Sequence, residues 1–207
     1  MLDQEPDKRK EKAAIASETD HFRSLALALP TINDAAFKPM FISRTLTDNN
    51  RGHSLMAGTF NTPETIAHLL SFFRAPPSRS LNDDVSTRAE VRRFYTFGTG
   101  LNAHANLLHG GIIACLIDST MSNMAGLALQ SMHGLDSRET VFTVQLNTKY
   151  EKPVRTPGTV MVRAWIKESL EGGRKIWITG EVVSGDHGEI RHAGAEGLWL
   201  RARVGKL

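Results

Sequence analysis

The chain has 207 residues, of which 41% are hydrophobic and 23% charged, enough for one soluble domain with a sizeable core and too few for a second full one. Its formal net charge of +3 is spread along the chain with no stripe of Lys and Arg interleaved with aromatics, which argues against nucleic-acid binding. The single cysteine, Cys115, excludes an intrachain disulfide framework and suits a reducing compartment.

In chain order, residues 1–15 are dense in Lys, Glu and Asp. They read as a frayed, partly disordered tail, with neither the apolar run of a signal peptide nor an Arg-rich transit pattern. Ser17 to Leu29 predicts a short helix stopped by Pro30, Phe37 to Leu46 an extended segment, and His53 to Phe60 a strand. Thr62-Pro63-Glu64 has the hydroxyl cap and early proline of a helix start. Ile66, Leu69, Leu70 and Phe73 then recur at helical spacing up to Pro76, so residues 61–90 read as a helical insertion followed by a loop. Val91 to Phe97 predicts a strand closed by Gly98-Thr99-Gly100.

A long helix follows, from about Gly110 to Leu129, apolar on nearly all sides and therefore buried. Asp118, Ser119, Thr120, Ser122 and Asn123 interrupt it as a membrane span, so no stable membrane insertion is expected. After a loop around Gly134 come four strand-like runs: Thr140 to Tyr150, Thr159 to Lys167, Lys175 to Val183 and Ile190 to Arg201. Gly172-Gly173 and Ser184 to Gly188 supply the hairpin turns between the later ones. One apolar helix and a set of antiparallel strands needing one covered face give an α+β domain, its sheet curled around the central helix.

The chemistry concentrates on that helix. A carboxylate buried among apolar residues is costly without a partner, so Asp118 is either a base or nucleophile at a pocket wall or the cap of a second helix. His109-Gly110-Gly111 tips the balance toward the first. Two glycines at a helix start are poor helix formers, and without Cβ atoms they let a ligand approach free N–H groups at the positive end of the dipole. Such donors can polarise a thioester carbonyl and hold its oxyanion. Gly98-x-Gly100-x-x-Ala103, with Asp118 twenty residues after Gly98, mimics a dinucleotide fingerprint, but Ala103 to Leu108 is too short for the crossover helix. No serine-hydrolase elbow, phosphate-binding loop or zinc spacing appears, and neither metal nor cofactor is expected.

His109-Gly110-Gly111 followed by Asp118 resembles the signature of hotdog-fold thioesterases of the phenylacetate-pathway type, within the 4-hydroxybenzoyl-CoA thioesterase superfamily. The likeness is strongest to the animal mitochondrial acyl-CoA thioesterase branch and its fungal relatives, covers roughly residues 91–203, and includes Thr143 to Pro153. The resemblance implies an acyl-CoA hydrolase in which Asp118 is general base or nucleophile and the Gly110 N–H polarises the carbonyl. His109 would shape the helix entrance, and Thr143 would help place the attacking water. Lys152 falls where relatives carry basic residues near CoA phosphates, and charge and nearness add Arg155. Gly111 joins the substrate-binding set. Where some relatives carry an asparagine six residues before the histidine, this chain has Ala103, so that either Asn102 or Asn106 makes that contact or the contact is missing.

Residues 1–50 are thus an N-terminal extension, and 51–207 the hotdog domain with its insertion. Two other activities stay open on the same scaffold: a thioesterase releasing a biosynthetic product from a carrier protein, and a non-catalytic acyl-CoA-binding protein. A cytoplasmic location is expected, with mitochondrial or peroxisomal placement as alternatives. The latter is suggested by the terminal Gly205-Lys206-Leu207. Gly110 and Asp118 lie eight residues apart, about 12 Å along one helix and about 80° round it, so one carbonyl cannot touch both in the same chain. A shared site needs two subunits, hence a homodimer or a dimer of dimers.

Overall fold

Period-two alternation in the C-terminal half of the chain sends every second side chain to one face of a sheet. In β7 (Gly158–Leu170), Val160, Val162 and Ala164 are buried on that face, joined by Ile176 and Ile178 of β8 (Lys175–Ser184) and by Ala193, Ala195 and Trp199 of β9 (Ile190–Arg201). The β8–β9 turn bends through Gly185 at φ +87° and Gly188 at φ +74°, the left-handed region that favours glycine. The computed structural model describes residues 5–40, 53–76, 88–133, 141–170 and 174–201.

Against that apolar face lies the long helix α3 (Gly110–His133), which packs on β3, β6, β7, β8 and β9. Leu116, Ile117, Met121 and Met124 are among its core-facing residues, each burial contributing about 1.5–3 kcal/mol. Polar tips inside the core find partners: Trp199 Nε1 donates to Ser122 Oγ at 2.9 Å, and the Tyr95 and Thr120 hydroxyls meet at 3.3 Å. By length and hydropathy Gly110–Leu129 could cross a membrane. Here half of that stretch is buried, its core-facing side against the sheet.

The sheet has seven antiparallel strands in the order β1-β2-β3-β7-β8-β9-β6. Its outer members are β1 (Phe37–Met40), β2 (Ile66–Arg74) and β3 (Glu90–Phe97) at one end, and β6 (Val141–Tyr150) at the other. A short hairpin, β4 (Asn102–His104) with β5 (Leu107–Leu108), leads into α3. On the sheet's second face, Phe22 of α1 (Glu5–Arg23) and Leu27 pack on Leu70, Phe72 and Phe94.

Four expectations need correcting. Residues 5–23 form the helix α1, so the anticipated frayed stretch is helical from Glu5 onward, and the helix ends at Arg23, before Leu29. Pro30 opens rather than closes a helix, standing in the first turn of α2 (Leu29–Ile32), where its missing N–H costs nothing. The expected strand at His53 to Phe60 is a π-helical turn, Leu55–Thr59.

The expected helix after Thr62 is β2. Ile66 and Leu69 face α3 while Leu70 and Phe72 face α1, and a strand buried on both faces reads as a continuous apolar run whose period is ambiguous. The Thr62 cap signal is spent on a turn, with Thr65 N donating to Thr62 Oγ1 at 3.2 Å. Gly98 and Gly100 are small for a local reason. A Cβ on Gly98 would lie 2.5 Å from the Pro63 carbonyl oxygen, and one on Gly100 2.8 Å from that of Glu64. The extended reading beyond Met40, the loop at 77–87, the loop around Gly134 and the Gly172-Gly173 turn lie outside the described residues.

Candidate active site

The start of α3 is closed by His109. Its carbonyl accepts from Ile112 N at 2.9 Å and Ile113 N at 3.2 Å, while its Nδ1 accepts from Gly111 N at 2.9 Å. The ring therefore caps the helix, and in the neutral imidazole this acceptor role puts the proton on Nε2. With Gly111 N–H engaged, the Gly110 N–H is left as a first-turn donor without an acceptor among the described residues. Tyr150, at the end of β6, walls this backbone. Its hydroxyl donates to the Gly110 carbonyl at 3.0 Å, and a Cβ on Gly110 would meet its ring at 3.7 Å.

Two turns further on stands Asp118, half-buried. Thr143 Oγ1 donates to Asp118 Oδ1 at 2.7 Å, the length of a charge-assisted bond. A β-bulge between Thr143 and Gln145 is the kind of irregularity that re-aims a side chain at a site. The bond engages one carboxylate oxygen and leaves Oδ2 for other chemistry. Helix α3 runs unbroken from Gly110 to His133, so Asp118 is not the cap of a second helix. On one side Ser119 Oγ accepts from the buried Arg93 Nη1 at 2.8 Å, tying the middle of α3 to β3. One turn before Asp118, burial and then the Asp118 carboxylate push the Cys115 thiol pKa up, as expected of a packing rather than a nucleophilic cysteine.

The proposed residues form three groups. His109, Gly110 and Gly111 share the helix start; Asp118 and Thr143 make the carboxylate pair; Lys152 and Arg155 both line a cavity of about 380 Å³ beside the β8–β9 turn. Asn106 adjoins the Arg155 segment through its backbone alone, with no side-chain hydrogen bond to any of the three groups among the described residues. It occupies the β4–β5 turn at φ 59°, and its carbonyl takes the Thr156 N–H at 3.1 Å, while the Asn102 side-chain oxygen takes the Thr156 hydroxyl. Asn102 is thus committed within the protein, and the Asn106 side chain is exposed.

Tyr150 escaped the sequence reading; its one signal was an aromatic at the last position of a strand already assigned to the site. Ser184 and His192, also in the cavity wall, had no motif to mark them. Among the described residues no three His, Cys, Asp or Glu side chains converge as metal ligands.

Residues 105–190 match the model of the thioesterase superfamily. The chain is 25% identical over 167 residues to the verlamelin biosynthesis protein B of a Lecanicillium species, covering 70% of this chain and 71% of that one. Among solved structures it resembles the BH2602 protein from Bacillus halodurans, determined with CoA, at 28% identity and a TM-score of 0.45, covering 59% of this chain and 72% of that one. A phenylacetic acid degradation-related protein from Ralstonia eutropha JMP134 matches at 16% identity and a TM-score of 0.49, over 73% of this chain and 92% of the other.

Over residues 105–190 the chain is similar to the thioesterase superfamily, and its antiparallel sheet with a central helix is the arrangement of the hotdog fold. Thioester hydrolysis is the general chemistry that this match supports. The animal mitochondrial branch is not distinguished by these matches.

Proposed function

We propose that the protein hydrolyses acyl-CoA thioesters to the free acid and CoA, as a homodimer or dimer of dimers whose active sites are shared between subunits. The observation that carries this reading is the Thr143–Asp118 pair in a chain that matches the thioesterase superfamily and whose Gly110 N–H is open. The thioester oxygen would accept from Gly110 N–H of one subunit, at the positive end of the α3 dipole. Asp118 of the other subunit would act on the carbonyl carbon, as general base through a water or as the nucleophile. Thr143 holds Oδ1, so Oδ2 is the oxygen that takes the proton or attacks. His109 fixes Gly111 and so shapes the backbone beside the carbonyl.

Pairing of subunits has its own support in the sheet. Strand β6 is an edge strand, and it exposes Phe142, Val144 and Tyr150 at 44%, 55% and 51%. An apolar open edge invites pairing with another copy. The strand that carries Thr143 and Tyr150 would then lie at the subunit boundary, where a shared site needs it.

A second reading, release of a biosynthetic product from a carrier protein, is favoured by the likeness to a biosynthesis protein. Thiol release from a panel of acyl-CoAs, set against the same acyl groups on carrier protein, decides between them. Turnover of acyl-CoA at a higher kcat/KM supports the main reading. Turnover of carrier-bound thioesters alone would replace it.

A further inference from the structure

We propose that Tyr150 is a positioning residue for the oxyanion donor: its hydroxyl and ring hold the Gly110 backbone so that the Gly110 N–H is aimed at the thioester oxygen. The assignment rests on the hydrolase reading, in which that N–H polarises the carbonyl. A donor is most effective when it is already aimed where charge develops and need not reorganise. Glycine is the residue least suited to keep such an aim, because it has the most conformational freedom to lose. Gly110 and Gly111 stand side by side in the first turn of α3, so other residues must hold them.

Two peptide planes meet at the Gly110 Cα, and both are pinned. In the plane between His109 and Gly110, the carbonyl accepts from Ile112 N at 2.9 Å and Ile113 N at 3.2 Å. The other end of that plane is the open Gly110 N–H. In the plane between Gly110 and Gly111, the N–H donates to His109 Nδ1 at 2.9 Å, and the carbonyl accepts from the Tyr150 hydroxyl at 3.0 Å. Bonds at both ends of one peptide polarise it and strengthen each other, so the Tyr150 hydroxyl also firms the His109 cap. Of these bonds, only the one from Tyr150 reaches another element of the fold.

Tyr150 is itself firmly seated. It closes β6 opposite Ala193 of β9, and the next two residues keep the chain in place, with Glu151 N and Lys152 N donating to the His192 carbonyl at 2.8 and 3.1 Å. The His192 ring is buried in turn, its Nε2 2.7 Å from Ser184 Oγ of β8. About half of Tyr150 is exposed, so burial of the ring gains little and the hydroxyl bond is its specific contribution. The ring stands 3.7 Å from where a Gly110 Cβ would be, a gap that a methyl group would just fill. Strand β6 also holds Asp118 through Thr143. One strand therefore aims both halves of the chemistry, the donor of one site and the carboxylate of the other.

The test compares the wild type with Tyr150→Phe, which keeps the ring and loses only the hydroxyl. Thiol release from the acyl-CoA that the wild type turns over fastest should fall about three- to tenfold in kcat, the equivalent of one hydrogen bond. KM should stay within about twofold, because ground-state binding is untouched. Amide nitrogen relaxation reads the backbone without catalysis. The order parameters of the Gly110 and Gly111 amides should drop clearly below the rigid value of about 0.85 in Tyr150→Phe, at an unchanged unfolding temperature. An unchanged kcat, equally rigid glycine amides, or a loss that appears only in KM or in unfolding temperature would overturn the assignment. Loosened amides in a protein whose wild type hydrolyses no acyl-CoA would keep Tyr150 as the anchor of this backbone and remove the hydrolase reading.

Discussion

If each active site joins Gly110 of one subunit to Asp118 of the other, two inactive variants should rescue one another. Gly110 is the first residue of α3, a position where proline is tolerated, so Gly110→Pro deletes the N–H while keeping the helix. The added Cβ meets the Tyr150 ring at an ordinary 3.7 Å. Loss of one oxyanion donor should cost about 100- to 1,000-fold in kcat. Asp118→Asn removes the base on an otherwise unchanged helix. Along α3 the two positions are about 12 Å apart and about 80° round the axis, whereas the carbon and oxygen of a carbonyl are about 1.23 Å apart.

Random pairing of the two variants puts about half the dimers in the mixed form. Each mixed dimer has one site with Gly110 and Asp118 both intact and one with both lost, so about a quarter of wild-type activity should return. The assay is thiol release after co-refolding equal amounts, with mixed dimers quantified by mass spectrometry. If mixed dimers are present and activity stays at the level of the separate variants, the site is built within one chain and the reasoning fails.

Two further outcomes are expected. The His21 and His68 rings stack at 3.6 Å where α1 meets the sheet, with His68 Nδ1 3.2 Å from Glu18 and His21 Nε2 3.2 Å from Thr96 Oγ1. Burial, and then His68, lower the His21 pKa from 6.5, with Glu18 opposing. The unfolded chain therefore binds the proton better, and this contribution to stability is lost as pH falls below about 6.5. Melting curves between pH 7 and 5 should lose that component of their slope in His21→Gln, and an unchanged slope would refute it. The second outcome concerns Cys115, where Asp118 adds to burial in raising the thiol pKa. Iodoacetamide should modify Cys115 faster in Asp118→Asn than in wild type at pH 8; equal rates would separate the two residues electrostatically.

The central helix and the C-terminal strands were legible because each rests on a local rule, as does the singling out of Asp118. Asp118 in an apolar helix needs a partner, and Thr143 on the edge strand β6 supplies it in an exposed hydrogen bond. Pairing the two from sequence still required the family resemblance, since nothing local joins residues 25 positions apart in the chain. β2 was illegible because α1 covers its second face, and a strand buried on both sides carries no alternation. The length of α1 was masked by its charge: Glu5 to Lys12 reads in the sequence as a charge run, and Phe22 anchors the helix through tertiary contacts with Leu70, Phe72 and Phe94. Tyr150 and the Ser184–His192 pair owe their positions to strand register, which composition does not encode.

The central claim, hydrolysis of an acyl-CoA thioester by the Asp118 carboxylate, is tested most directly by single-site replacement. Asp118→Asn keeps the size of the side chain and an acceptor for Thr143 Oγ1, so circular dichroism and unfolding temperature should match the wild type. Thiol release from the preferred acyl-CoA should then fall by at least about a hundredfold, the scale of general-base loss. A folded Asp118→Asn protein that releases thiol at near wild-type rates would contradict the account.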